Sequence, residues 1–143
     1  MPAELLVRGH PHNPEIRAPA LKLDAPISFW GGVSVADGRL MERREGATRG
    51  SVGGTALFIR ELRGSSSASS VLLELIHRRI APAAIILAAP DAILALGVLA
   101  AREMGWPTPP ILRLAAAEQE RIPDGATVAV RESGEIVVIA NAP

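Results

Sequence analysis

The sequence predicts an α/β fold, and three observations carry that prediction. Thr55–Arg60 (TALFIR) is rich in β-branched and aromatic residues and reads as a strand. Ala83–Ala88 is apolar without alternation, the pattern of a strand buried on both faces. Each of these strands runs into a helical segment, first Val71–Arg79 and then Ala92–Met104. With a third short strand at Pro110–Leu114, the core reads strand, helix, strand, helix, strand. That order implies two helices crossing over between roughly parallel strands in a layered domain.

The remaining elements follow in chain order. Met1–Arg17 is polar, carries Pro2, Pro11 and Pro14, and is a candidate mobile N-terminus; it lacks the apolar core of a signal peptide. Leu5–Arg8 and Ala18–Leu23 are candidate strands. Ile27-Ser28-Phe29-Trp30 is apolar and aromatic and stops at Gly31-Gly32. Gly38 marks a turn, and Arg43–Gly54 is a polar, glycine-bearing loop. The first helix is led by serines, and Pro82 ends the connection that follows it. The second helix is capped by Asp91 and closed by Gly105, with Pro107 beyond. Gly97 inside it permits close packing. Thr127–Arg131 and Glu135–Ile139 flank Glu132-Ser133-Gly134 as a hairpin.

Composition bounds the function. The 143 residues suit one domain spanning 1–143, and 48% hydrophobic content supports a sizeable core. Fifteen basic side chains balance fifteen acidic ones, so nothing argues for a nucleic-acid partner. Only 3% of residues are aromatic, which leaves no base-stacking platform. There is no cysteine, hence no disulfide and no thiolate ligand for zinc or an iron–sulfur cluster in this chain. A cytoplasmic location is expected. Ala83–Ala101 approaches the length of a membrane span, but Pro90-Asp91 breaks it into strand and helix.

The stretch that points to chemistry is Arg63-Gly64-Ser65-Ser66-Ser67-Ala68-Ser69-Ser70. Three readings stand: a flexible linker, a plain helix cap, and a ligand site. No second domain's worth of chain follows to need a linker, and one helix needs one capping serine, whereas five lie within six positions. As a site, the first turn offers unpaired N–H groups and a partial positive charge. Gly64 admits a ligand close to the backbone, the hydroxyls of Ser65, Ser66 and Ser67 add donors, and Arg63 adds a two-pronged cation. A carboxylate or phosphate suits such a pocket. Its position after a strand is where α/β folds collect ligands.

Other candidates read as structural first. His77 lies late on the first helix, where a cation suits the dipole. Asp91 is a cap and a possible neighbour of the site. Gly31-Gly32 is a turn that could also line a site, and His10 with His12 is a minor metal candidate. No phosphate-loop or dinucleotide fingerprint is present.

Four strings occur in the same order in the small subunit of aconitase X: Ile27–Val33 (ISFWGGV), Arg63–Ser69 (RGSSSAS), Ala81–Ile85 (APAAI) and Pro90–Gly97 (PDAILALG). Over about Ile27 to Pro110 the chain resembles that family. The resemblance implies a swivelling β/β/α domain, with layered sheets and two main helices, that closes over a larger aconitase-like subunit as a heterodimer. It implies a hydro-lyase: bacterial members are similar to cis-3-hydroxy-L-proline dehydratase, which yields Δ1-pyrroline-2-carboxylate, and archaeal members resemble mevalonate 5-phosphate dehydratase. The serine directly after Arg-Gly, here Ser65, is the family's proton acceptor, and the iron or iron–sulfur centre belongs to the large subunit. The sequence departs from the family in two places. The His-Pro pair usual before the central strand is missing from Arg43–Gly50, and Leu62 stands where many members carry glycine.

Dehydration of a hydroxy acid removes a proton beside the carboxylate and expels hydroxide, so it needs a base, an acid and a carboxylate clamp. Ser65 is the expected base; Arg63 and the N–H groups around Ser66 and Ser67 are the expected clamp. A helix terminus stabilises an anion by up to about 2 kcal/mol, roughly 1.5 pKa units, which does not ionise an alcohol near neutral pH. The lone chain is therefore expected to be inert. The reading from another class is a stand-alone anion-binding or regulatory module.

Overall fold

The computed structural model describes residues 1–10, 14–41 and 50–143. His12 and most of the Arg43–Gly54 loop, with its missing His-Pro pair, lie outside these residues. Seven strands and four helical segments are present among the described residues: β1 (Glu4–Val7), β2 (Glu15–Leu23), α1 (Phe29–Gly32), β3 (Ala56–Ile59), α2 (Ala68–His77), β4 (Ala84–Leu87), α3 (Ala92–Glu103), β5 (Ile111–Arg113), α4 (Ala116–Gln119), β6 (Thr127–Arg131) and β7 (Ile136–Ala140). The strands form one sheet in the order β1-β5-β4-β3-β2-β6-β7. β2, β3, β4 and β5 run parallel to one another, as the alternation of strands and helices requires. β1, β6 and β7 pair antiparallel.

β2 is the hinge of this sheet. Its residues Ala20–Leu23 pair with β3, while Glu15–Pro19 pair with β6. The sheet therefore curls until its edges meet: the Ala3 N–H donates to the Gly134 carbonyl and the Ile136 N–H to the Met1 carbonyl. Gly134 makes this closure possible. Its φ is +93°, and a Cβ there would lie 2.6 Å from the Ala3 carbonyl oxygen.

Alternate residues of the central strands face opposite ways. Leu57, Ile59, Ile85, Leu87 and Ile111 pack against α2 and α3 through Leu72, Leu75, Leu94 and Val98. Ala56, Phe58, Ala84, Ile86 and Leu112 face into the curl, against Ile16, Val128, Val130 and Ile122. Every residue of β3 and β4 is buried, which explains why neither strand alternates in hydropathy. The result is the layered β/β/α arrangement with two main helices.

Both long helices are defined by the residues that foretold them. Asp91 Oδ1 accepts the Leu94 N–H at 2.9 Å, and Gly105 at φ +76° follows the last turn of α3. α2 ends at His77, close to the expected Arg79; His77 stacks on Trp106 with ring centroids 4.6 Å apart, a structural role. Gly97 lets the two helices approach closely. A Cβ there would lie 2.9 Å from the Ser69 carbonyl oxygen. The short helix α4 had no sequence signal. No helix among the described residues is long and apolar enough to cross a membrane.

Candidate functional site at the carboxyl end of the central strand

β3 ends at Ile59, and the chain then pairs with the segment before α1. The Ile27 N–H donates to the Glu61 carbonyl at 3.1 Å, and the Arg63 N–H to the Ile27 carbonyl at 2.8 Å. These bonds fix Arg63-Gly64-Ser65 as it leaves the sheet. Leu62 forms the bridge to Ile27 and packs on the core, a role glycine could not fill. The Ser65 carbonyl then accepts the Ala68 N–H at 3.0 Å, closing a turn that leads into α2. The segment is thus bonded into the fold, and the linker reading is set aside.

α2 begins at Ala68, so Ser65, Ser66 and Ser67 precede it, and Ser69 and Ser70 occupy its first turn. Ser67 holds the cap position, yet its side chain makes no capping bond. The capping bond is made two residues earlier, so the plain-cap reading passes from Ser67 to Ser65. The Ser67 N–H donates to Ser65 Oγ at 3.3 Å. Ser65 Oγ thus sits against an amide proton ahead of a helix N-terminus, where negative charge on oxygen is favoured. The same bond uses the Ser67 N–H, one of the groups expected to clamp a carboxylate. Ser69 Oγ donates to the Ser66 carbonyl and is occupied locally.

Ser65 and Ser67 are half-buried, whereas Arg63, Gly64 and Ser66 are exposed. A Cβ on Gly64 would touch nothing within 4 Å, so packing within the described residues does not demand glycine there. The open space above Gly64 suits a molecule brought from outside. Among the described residues Arg63 has no carboxylate or hydrogen-bond partner for its guanidinium.

Phe29 and Trp30 are adjacent in sequence but differ in burial. Phe29 is completely buried under α2, while Trp30 is 63% exposed. Gly31, at φ +77°, turns the chain straight after it. Met41, whose N–H donates to the Gly32 carbonyl, is 59% exposed. An apolar rim therefore begins three residues from the Ile27–Arg63 pairing. Asp91 at the start of α3 acts as the cap described above. Gln119 had no sequence signal. It is buried, and its Nε2 donates to the carbonyls of Ile59 and Leu114, tying together the chain beyond β3 and β5. Among the described residues no three His, Asp or Glu side chains gather as a metal-ligand set.

A family model described as the aconitase X swivel domain matches residues 7–139. The chain is 42% identical over 106 residues to cis-3-hydroxy-L-proline dehydratase of Pseudomonas aeruginosa, covering 69% of this chain and 18% of that protein. It is 32% identical over 122 residues to the phosphomevalonate dehydratase small subunit of Methanocella arvoryzae, covering 85% of this chain and 89% of that one. The chain thus spans about a fifth of the length of the first relative and most of the second. The holo-form structure of Thermococcus kodakaraensis aconitase X superposes with a TM-score of 0.78 at 24% identity, over 96% of either chain, and has the same fold.

Proposed function

The chain belongs to the aconitase X swivel-domain family, and from that premise we propose that it is the small subunit of a cytoplasmic hydro-lyase that dehydrates a small hydroxy acid. Ser65 is the proton acceptor, and Arg63, Gly64, Ser66 and Ser67 form the substrate-binding wall. The observation that carries this reading is Ser65 Oγ, half-buried beyond β3 and receiving the Ser67 N–H at 3.3 Å. That amide and the helix end behind it lower the cost of an alkoxide. A helix end alone falls short, and the rest is left to the Arg63 guanidinium and to cationic groups of the partner, since burial by itself raises the cost of an alkoxide.

The partner is an aconitase-like large subunit, and Trp30 and Met41 are its first contacts. Exposed large apolar side chains beside a reactive group suit an interface better than open solvent. Support for a partner comes from relatives of both kinds, a small subunit of this length and a much longer chain containing a matching segment. The iron or iron–sulfur centre belongs to the large subunit in this reading, as the family resemblance implies, and a chain without cysteine is consistent with that.

In the reaction, the substrate carboxylate lies over Gly64 and faces the Arg63 guanidinium and the Ser66 N–H. The Ser65 alkoxide takes the proton from the carbon beside the carboxylate. The electron pair left on carbon forms the new double bond, the carbon–oxygen bond to the hydroxyl breaks, and an acid on the large subunit protonates the departing oxygen so that it leaves as water. Cis-3-hydroxy-L-proline is the proposed substrate, supported by the higher identity to the proline-specific relative; mevalonate 5-phosphate is the alternative.

Co-elution on a sizing column with the aconitase-like large subunit, followed by assay of both substrates, tests this proposal. A stable complex turning over hydroxyproline is expected. A chain that stays monomeric, with no turnover of either substrate, would support the anion-binding module instead. Arg63→Lys keeps the charge and loses the fork, so it is expected to raise KM by about tenfold with part of kcat retained. An unchanged KM would remove Arg63 from substrate binding.

A further inference from the structure

A cavity lies at the other end of the sheet from the serine segment. It is a cleft of about 440 Å³, within the range of small-molecule sites. It opens where the curl of the sheet closes, between β1, the start of β2, the end of β6 and the chain following α3. Pro110 lines it, and the Pro110 carbonyl accepts the Ile85 N–H, which places the cleft at the amino ends of β4 and β5. Ser65 follows the carboxyl end of β3. Four-residue strands rising about 3.3 Å per residue separate the two by roughly 13 Å or more.

The lining combines two chemistries. Leu5, Ile16 and Val130 form an apolar floor at the mouth of the curled sheet. Arg8 and Arg131 stand among the lining residues with Arg102 and Glu132, so positive charge exceeds negative there. Arg131 is held by Glu135 at 3.0 Å and Glu15 at 3.6 Å, which fixes its guanidinium. Arg102 donates to the carbonyls of Arg8 and Gly9 and anchors that backbone. Arg8 makes only a loose contact, 3.9 Å, with Glu132, and its side chain is 75% exposed. Its charge is available. Thr108 also lines the cleft. It is only 7% exposed, and its hydroxyl has no hydrogen-bond partner among the described residues. The hydroxyl itself is not sealed from solvent, so it is open to a ligand in the cleft.

We propose that this cleft binds small carboxylic acids that carry an apolar body. The body lies on Leu5, Ile16 and Val130, and the carboxylate meets Arg8 and the Thr108 hydroxyl. The site is separate from the proposed dehydratase chemistry and does not depend on it.

The test is an amide NMR titration of the full chain with hexanoate, hexanol and acetate as probes. Hexanoate is expected to shift the amides of Gly9, Thr108 and Val130 saturably, with a Kd of about 10 mM or lower. Hexanol lacks the charge and acetate the body, so each is expected to bind about tenfold more weakly. Arg8→Gln, an exposed change that leaves the core intact, is expected to weaken hexanoate about fivefold or more. Three results would each overturn the proposal: no saturable shift, equal responses to hexanol and hexanoate, or shifts centred on Gly64–Ser67.

Discussion

Replacing Ser65 with alanine is expected to cut turnover of the assembled dehydratase by about 100-fold or more, the scale of losing a positioned base. The substitution removes one oxygen from a half-buried site, and that oxygen accepts a single hydrogen bond, from the Ser67 N–H. The cost to folding is therefore limited to about 0.5–1.5 kcal/mol. Activity and stability thus separate cleanly in this variant. Ser69→Ala and Ser70→Ala are the controls. Ser69 Oγ is bonded to the Ser66 carbonyl and Ser70 is exposed within the first turn of α2, so both variants are expected to stay within a few-fold of normal turnover. Steady-state kinetics on the complex, with melting curves beside them, checks all three. Near-normal turnover with Ser65→Ala would remove Ser65 from the mechanism.

Gly97→Val is expected to have the largest structural effect of a single change near the site. The new Cβ would lie 2.9 Å from the Ser69 carbonyl oxygen and 3.3 Å from the Ser69 Cα. Both atoms are backbone and cannot swing aside. The helices must part, and overpacking of this kind costs about 1–3 kcal/mol. For a chain of this length the melting temperature is expected to fall by about 5–10 °C. The consequence is also functional, because Ser69 lies in the first turn of α2, directly after the turn that carries Ser65. Parting the helices moves the serine loop, so kcat is expected to fall along with stability. An unchanged melting temperature would show that the α2–α3 contact is soft.

Much of the fold was legible because its signals are local. The unbroken apolar runs of β3 and β4 announce burial on two faces, and Asp91 and Gly105 bracket α3 by known cap chemistry. Gly97 was read as a packing glycine, and the Ser69 backbone explains it. The serine block was legible as a candidate site because five hydroxyls exceed what one helix needs.

What was not legible depends on contacts distant in sequence. The curl of the sheet arises because β2 divides its pairing between β3 and β6, and nothing in its own nine residues records that division. Gln119 stands in a polar-looking segment, yet it is buried by the carbonyls of Ile59 and Leu114. Phe29 and Trp30 are adjacent and chemically alike. Only the positive φ of Gly31 and the placement of α2 send one inward and the other to the surface. The single N–H engaged by Ser65 Oγ likewise depends on turn geometry.

The most direct measurement is a dehydration assay run on three samples: this chain alone, the aconitase-like large subunit alone, and the two mixed in equal amounts, each with cis-3-hydroxy-L-proline. Neither part holds the complete chemistry in this account. Ser65 lies on one subunit and the acid for the leaving hydroxyl on the other, so product is expected only from the mixture. Turnover by this chain alone at a rate comparable to the mixture would contradict the account, and so would full activity of the large subunit without it.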